Sequence, residues 1–145
     1  MKEFFKAESI GRDKFKSLAK QNPRIEDLEF TEDAYNNVDA YFTFNGKKYA
    51  VEIKNRNSYY DVWNIEVLKY TKMKELIENN TVSGGYFVVF FENTAWIYDF
   101  NTIQGCYDKY GVSSMMARRT TVVNSNYVEK KVISLPTEIA KIKTI

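Results

Sequence analysis

Hydrophobic and polar residues alternate most clearly across residues 39–54, on both sides of the dipeptide Asn45-Gly46. A two-residue hairpin turn needs positive φ at both central positions, which Asn and Gly adopt most readily. The pattern therefore predicts a β-hairpin in which Asp39 lies opposite Glu52. Because side chains alternate along a strand, one face is mostly apolar and the other carries Asp39, Glu52 and Lys54.

The residues before this hairpin predict a helix and a short strand. Apolar positions within residues 3–20 partly follow a helical period. Ser9 is a candidate N-cap, and Gly11 marks a point at which the helix begins late or breaks. Pro23 is expected to end the helix, and residues 28–31 predict a short first strand.

The residues after the hairpin predict a helix followed by a buried strand. The helical pattern covers residues 62–79, with Asp61 as its cap. The continuous apolar run 86–91 is typical of a strand buried on both faces, and a helical crossover places such a strand parallel to the hairpin. Residues 94–98 predict a neighbouring antiparallel strand.

The order of these elements predicts one α/β domain over residues 1–145, with a mixed central sheet, flanking helices and a C-terminal extension. In the extension, residues 132–135 predict a last strand that Pro136 closes, and residues 137–145 predict a short helix or a frayed end. A hydrophobic content of 44% is enough for a core in a chain of this length.

The composition excludes several kinds of site. The chain has no histidine and a single cysteine, Cys106, which excludes Ser-His-Asp and Cys-His catalysis, His-based zinc sites and disulfides. Gly84-Gly85 lacks the Gly-Lys-Ser/Thr ending of a phosphate-binding loop. No apolar run approaches a membrane span, and Met1-Lys2-Glu3 does not predict a signal peptide. We expect a cytoplasmic protein without a membrane partner.

The opposition of Asp39 and Glu52 calls for a nearby cation. Carboxylates that face each other across a sheet destabilise it unless a positive charge lies between them. Lys54 could supply that charge, and so could a divalent metal, for which carboxylate oxygens are the usual ligands. The backbone carbonyl of Ile53 is close enough to be a further ligand.

Asp39, twelve intervening residues and the run Glu52-Ile53-Lys54 resemble the core motif of the PD-(D/E)XK nuclease superfamily, with Val38 in place of the leading proline. The resemblance implies a restriction-endonuclease-like αβββαβ core. It also implies a Mg²⁺-dependent nuclease that cleaves phosphodiester bonds, with DNA as the expected substrate, endonucleolytic cleavage as the expected action, and Mn²⁺ able to substitute. Asp39 and Glu52 would hold the metal, and Lys54 would act on the attacking water.

Further candidates for the site come from the two helices. In the superfamily a first helix often adds an acid, for which Glu8 and Asp13 are the candidates; ordinary solvated charges are the alternative. Glu66-x-x-x-Tyr70 is similar to the Gln-x-x-x-Tyr motif of RecB-type nucleases, with Glu in place of Gln. Lys69, three residues after Glu66, shares its helix face and is a further secondary candidate. The alternative is a helix ion pair between Glu66 and Lys69, or Tyr70 as a core residue.

A net charge of +2 is low for a nucleic-acid-binding protein, but basic residues concentrate toward the C-terminus. Arg118, Arg119, Lys130 and Lys131 are the candidates for phosphate contacts, although such a segment also suits an exposed loop. The alternative function is a catalytically inactive nucleic-acid-binding or structural module of the same fold. A homodimer is left open.

Overall fold

Nine strands in two sheets and three α-helices make up the part of the chain that the structure describes. This structure is a computed structural model, and it describes residues 2–32, 37–118 and 127–145, without the side chains of residues 2–6, 116–118 and 127–128. None of the described helices is both long and apolar enough to cross a membrane. The elements in chain order are α1 (Lys2–Lys20), β1 (Ile25–Phe30), β2 (Ala40–Phe44), β3 (Lys47–Arg56), β4 (Val62–Glu66), α2 (Val67–Glu78), β5 (Gly84–Phe91), β6 (Thr94–Asp99), α3 (Phe100–Tyr110), β7 (Ser113–Arg118), β8 (Tyr127–Pro136), a 3-10 turn (Thr137–Ile139) and β9 (Lys141–Thr144).

The first sheet has the strand order β1-β2-β3-β5-β6-β9. The hairpin β2–β3 is antiparallel, and β5 is parallel to β3, so the predicted crossover is confirmed. The predicted antiparallel pairing of β6 with β5 is confirmed as well. The chain is therefore an α/β protein with a mixed sheet. Helix α1 packs on one face, where a Cβ on Gly11 would lie 3.2 Å from Ile53 Cγ2.

A second, antiparallel sheet has the order β4-β8-β7 and packs on the other face of the first sheet. The two sheets share one core cluster, whose fully or nearly buried members include Trp63, Ile65, Phe87, Val89, Tyr98, Ile133 and Leu135. The Tyr98 hydroxyl donates to the carbonyl of Pro136, at 2.9 Å, and so ties β6 to the end of β8. Burial raises the pKa of this phenol, which stays protonated and able to donate.

The predicted helix over residues 62–79 is wrong in its first turn. Residues 62–66 form β4, with Trp63 and Ile65 buried and Val62 exposed, which is the period of a strand. Pairing with β8 satisfies the β4 backbone and overrides the helical pattern. Asp61 therefore does not cap α2; Glu66 occupies the N-cap position, without a side-chain capping hydrogen bond.

The N-terminal helix also differs from its prediction. Helix α1 runs without interruption through Ser9 and Gly11, so neither residue begins or breaks it. The glycine at position 11 instead allows α1 to approach β3 closely. The helix ends at Lys20, before Pro23, as predicted. The first strand is longer than expected, because Ile25–Phe30 all belong to β1, with a register shift between Glu26 and Glu29.

Three C-terminal elements of the described residues were not predicted, namely α3, β7 and β9. Helix α3 begins at a cap in which Asp99 accepts from the Thr102 N–H at 2.7 Å, and it ends before Gly111, whose φ is +71°. Those two residues are the signals in the sequence that could have revealed the helix. The predicted short helix of the tail is confined to the 3-10 turn Thr137–Ile139, and the residues after it are not frayed, since Lys141–Thr144 form β9 against β6. The strand predicted at residues 132–135 is the end of the longer β8.

Candidate active site

The two acids of the hairpin lie close together, but the strand pairing ends at Ala40 and Val51, so the structure does not show Asp39 paired directly opposite Glu52. Asn45 and Gly46 have φ values of +52° and +78°, and Ala40 pairs with Val51. The Asp39 N–H also donates to the Val51 carbonyl, at 3.0 Å, so Asp39 and Ala40 both lie opposite Val51, as at a β-bulge.

The Asp39 carboxylate completes the edge of the hairpin. Its Oδ2 accepts the N–H of Ile53 at 2.7 Å, so a side chain replaces the strand carbonyl that β2 no longer supplies there. Because the N–H and C=O of one strand residue point to the same side, the Ile53 carbonyl also faces the Asp39 side of β3. Asp39 Oδ1 remains directed away from this hydrogen bond.

Both acids are buried, with exposed fractions of 6% for Asp39 and 2% for Glu52. Burial raises the pKa of Glu52 well above its ordinary value, the neighbouring charge of Asp39 raises it further, and Lys69 and Lys54 oppose the shift. The Oε1 atom of Glu52 is buried, and no residue in the described ranges donates a hydrogen bond to it. Such an atom is costly in a folded protein, and it is where a cation or a proton would be favoured.

Two protein cations approach the acids, one from each neighbouring helix. Arg12 of α1 places Nη2 at 3.9 Å from Asp39 Oδ1 and donates to the Thr31 carbonyl at 2.9 Å. Lys69 of α2 places Nζ at 3.9 Å from Glu52 Oε1 and donates to the Asn37 carbonyl at 2.8 Å. Both distances to the acids exceed those of a charge-assisted hydrogen bond, so neither cation fully satisfies its carboxylate.

The N-terminal acids separate into one near the site and one away from it. Glu8 lies 3.3 Å from Arg12 Nη2, one helical turn earlier, and reaches Asp39 only through that arginine. Asp13 is exposed on another face of α1. Arg12 was not among the predicted site residues, although its position four residues after Glu8 is the spacing at which a helical ion pair forms.

Lys54 lies two residues beyond Glu52 on the same face of β3 and is half-buried. Its charge acts to lower the pKa of both Glu52 and Glu66, so the Lys54 ammonium lies near both acids. No carboxylate in the described ranges lies within 4.0 Å of the Lys54 ammonium, so it is not held by a close ion pair there.

Glu66 and Tyr70 do not form a common motif beside Asp39. Glu66 ends β4, and its Oε1 accepts from Lys130 at 2.8 Å. Burial acts to raise the pKa of Glu66, but the hydrogen bond from Lys130 and the charges of Lys54 and Lys69 lower it below its ordinary value. Tyr70 is buried, donates to Gln104 and stacks with Phe100 and Tyr107, so it belongs to the core beside α3.

The alternative ion pair of Glu66 with Lys69 within one helix is therefore not what the structure contains. Glu66 precedes α2, and the cation that hydrogen bonds to it comes from β8.

The four basic candidates do not form one strip in the part of the chain that the structure describes. Alternation along β8 puts Lys130 on the face of Glu66 and the exposed Lys131 on the opposite face. Arg118 ends β7, and its side chain is outside the described part. Arg119 lies outside the described residues altogether.

The residues present fit a magnesium ion of the kind that keeps several waters. The described ranges contain no cluster of three or more acidic, cysteine or histidine ligands. Mg²⁺, however, is often held by one or two carboxylates together with waters and substrate phosphates. Asp39, the unsatisfied Oε1 of Glu52 and the Ile53 carbonyl would supply three protein oxygens.

The chain matches no known protein-family model, and no curated protein matches its sequence.

Proposed function

We propose that this protein is a metal-dependent nuclease that hydrolyses phosphodiester bonds of nucleic acid, with DNA as the expected substrate and endonucleolytic cleavage as the expected action. The observation that carries the proposal is a buried pair of adjacent carboxylates, followed by Lys54 on the strand face of Glu52, in which no described residue donates a hydrogen bond to Glu52 Oε1. A site of this kind disfavours two negative charges unless a cation is present.

Asp39, Glu52 and the Ile53 carbonyl would hold Mg²⁺, for which Mn²⁺ would substitute. The ion would polarise the scissile phosphate and stabilise charge on the leaving oxygen. Asp39 would use Oδ1, because Oδ2 is engaged by the Ile53 N–H. Glu52 would bind as the ionised form, so its raised pKa makes occupation of the site dependent on pH.

Lys54 would orient the attacking water and stabilise negative charge that develops on the phosphate. Its position on β3 fixes the ammonium on the same face as Glu52, and no described carboxylate holds it within 4.0 Å. Arg12 would hold Asp39 in place from α1, with Glu8 as its further partner. Glu8 therefore acts in this proposal as a positioning residue and not as a metal ligand.

The order of elements supports a restriction-endonuclease-like core as part of the same proposal. Helix α1, the strands β1, β2 and β3, helix α2 and the parallel strand β5 follow the αβββαβ order. The strand β4 is inserted before α2 and begins the second sheet.

One observation favours the alternative of a binding module without catalysis. Arg12 and Lys69 already bring positive charge to within 3.9 Å of the two acids, as in a structural ion-pair network. Such a network would bind nucleic acid through other basic residues and would need no metal.

A cleavage assay with matched lysine variants tests the proposal. We expect Mg²⁺-dependent cleavage in at least one of linear, circular, branched or single-stranded DNA, and we expect Lys54→Ala to abolish it. Lys48→Ala is the control, because Lys48 lies on the same face of the same strand but near the turn, over the Tyr41 ring. Full metal-dependent cleavage by Lys54→Ala would contradict the role of Lys54. Absence of cleavage by the wild type, with nucleic-acid binding retained, would favour the binding module.

A further inference from the structure

Two large aromatic side chains lie exposed in the segment that follows β3. Tyr59 and Tyr60 have exposed fractions of 49% and 60%. They occupy residues 57–61, directly between the strand that carries Glu52 and Lys54 and the first strand of the second sheet. The proposed reaction does not use their exposed rings.

One side of the Tyr59 ring packs against aromatic residues of the core. It lies 6.0 Å from Trp63, 6.2 Å from Phe91 and 5.8 Å from Trp96, measured between ring centroids. Its hydroxyl also lies 3.5 Å from Thr137 Oγ1. A ring held in this way loses little conformational entropy when a ligand covers it.

Tyr60 is more open and lies next to positive charge. Its ring is edge-on to Trp63 at 6.1 Å, with 87° between the ring planes. Arg56, the last residue of β3, is exposed as a whole residue, but burial of its guanidinium lowers its pKa, and the nearby Glu66 and Tyr60 oppose that shift. Glu52, Lys54 and Arg56 occupy every second position of β3, so their side chains share one face of the strand. These charged side chains extend from the buried acids toward the tyrosines.

We propose that Tyr59 and Tyr60 form a stacking platform for unpaired nucleobases, with Arg56 beside them for the phosphates of the same strand. Exposed aromatic rings combined with basic side chains are the usual means of binding single-stranded nucleic acid without reading its sequence. The rise per residue along β3 places the Cα atoms of Glu52 and Arg56 about 13 Å apart. A single nucleic-acid strand could therefore contact both the acids and the tyrosine platform. The proposal names the substrate form for the nuclease site and rests on that proposed function.

The test measures binding of single-stranded DNA in EDTA, where metal-dependent cleavage cannot occur. The probes are a fluorescein-labelled mixed-sequence oligonucleotide and the same backbone with abasic positions, both followed by fluorescence anisotropy. We expect Tyr60→Ala to weaken binding of the normal strand about tenfold, within the range for loss of one stacked base. We expect little change with the abasic strand, because it offers no base to stack. Tyr60→Phe should bind as the wild type does, and Tyr60→Leu should be as weak as Tyr60→Ala.

Tyr110→Ala is the matched control, because Tyr110 is 56% exposed and has the Lys109 ammonium 5.2 Å from its ring centroid. It lies in the last turn of α3 and should leave binding unchanged. Equal losses on normal and abasic strands, no loss on either, or no binding by the wild type would overturn the platform. Loss of self-association in Tyr60→Ala without loss of DNA binding would identify a protein interface instead, and would also overturn it.

The outcome is separable from that of the nuclease proposal. Binding in EDTA needs neither Lys54 nor a metal ion, so the platform can be confirmed in a chain that cleaves nothing. Conversely, the variants could show cleavage of duplex DNA that depends on Lys54 and no effect of Tyr60→Ala on binding of single-stranded DNA. That result would support the nuclease proposal and contradict the platform.

Discussion

Glu52 is the residue whose ionisation opposes folding most clearly. Its pKa is raised above the ordinary value by burial first and by Asp39 second. Between the unfolded and folded pKa values the native state binds more protons than the unfolded state, so stability falls as pH rises. The favourable contribution of the protonated Glu52 is complete below its ordinary pKa and is lost as pH rises through the raised one.

Glu52→Gln should therefore stabilise the metal-free protein at pH 7.5 and remove part of its pH dependence. We expect the unfolding free energy of the wild type to fall between pH 4.5 and 7.5, by at most about 1.4 kcal/mol per pH unit from this group. Urea denaturation in EDTA at several pH values measures this. Glu138→Gln, at an exposed carboxylate, is the control. A Glu52→Gln variant that is less stable than the wild type at pH 7.5 would contradict the prediction.

The acids of the site were predictable at the residue scale, and their cations were not. Asp39 and Glu52 come together through the local geometry of one turn, which the sequence encodes within 14 positions. Arg12 and Lys69 reach the same point from two helices whose placement depends on packing across the whole sheet. No local pattern specifies which basic residue of a helix will face a strand.

At the scale of elements, turn chemistry was a better guide than helical periodicity. Asn45-Gly46 fixed the hairpin register, because few other conformations suit that dipeptide. The apolar positions of residues 62–66 fit a helix as well as a strand, and the choice depends on pairing with β8, which is far away in the sequence. Propensity alone could not have located that boundary.

The packing of helix α2 on β5 requires a glycine at position 85, and a second glycine, Gly105, provides a control. A Cβ on Gly85 would lie 2.3 Å from Met73 Sδ and 2.6 Å from its Cγ. We expect Gly85→Ala to destabilise the protein by about 1–3 kcal/mol, because Met73 and the helix must shift. Gly105→Ala within α3 meets nothing within 4 Å and should instead stabilise by about 0.5–1 kcal/mol. Thermal melting of both variants gives the signs, and a neutral Gly85→Ala would contradict this packing.

The strand β8 offers a test of which of its faces meets nucleic acid. Lys130 shares its face with Glu66, whereas Lys131 lies on the opposite face. If the substrate passes the candidate site, Lys130→Ala should weaken DNA binding and lower the slope of log K against log salt by about one. Lys131→Ala should change neither. Titrations at four salt concentrations measure the slopes, and the reverse result would place the substrate on the other face.

At the scale of the whole molecule, the site and the core are parts of one cooperative structure. The two sheets share a cluster that includes Trp63 and Ile133, and Tyr98 joins their ends. Glu52 lies on the central strand β3, and Asp39 directly precedes β2, the neighbour of β3. Strand β3 also pairs with β5 along eight residue positions. Ligand binding to the acids is therefore expected to stabilise the protein globally and not only locally.

Mn²⁺ should raise the melting temperature of the wild type. At a concentration 100 times its dissociation constant, the ion adds about 2.7 kcal/mol, which corresponds to about 5–10 °C for a chain of this size. The shift should shrink as pH falls, because protons compete for Glu52. Differential scanning fluorimetry at pH 5.5 and 7.5 measures it. Asp39→Asn keeps an acceptor for the Ile53 N–H and removes the charge; an undiminished shift in that variant would contradict binding at this site.

The hydrogen bond from the Ile53 amide to Asp39 Oδ2 makes one backbone proton a reporter on the candidate site. An amide held by a side chain exchanges with solvent deuterium when that side chain moves away, without any need for the strand to separate. The exchange rate of the Ile53 amide would thus report how often the Asp39 carboxylate moves away. The exchange rates of neighbouring amides along β3 would report how often the sheet opens. Comparing the two would reveal how often Asp39 leaves its place in the absence of any ligand.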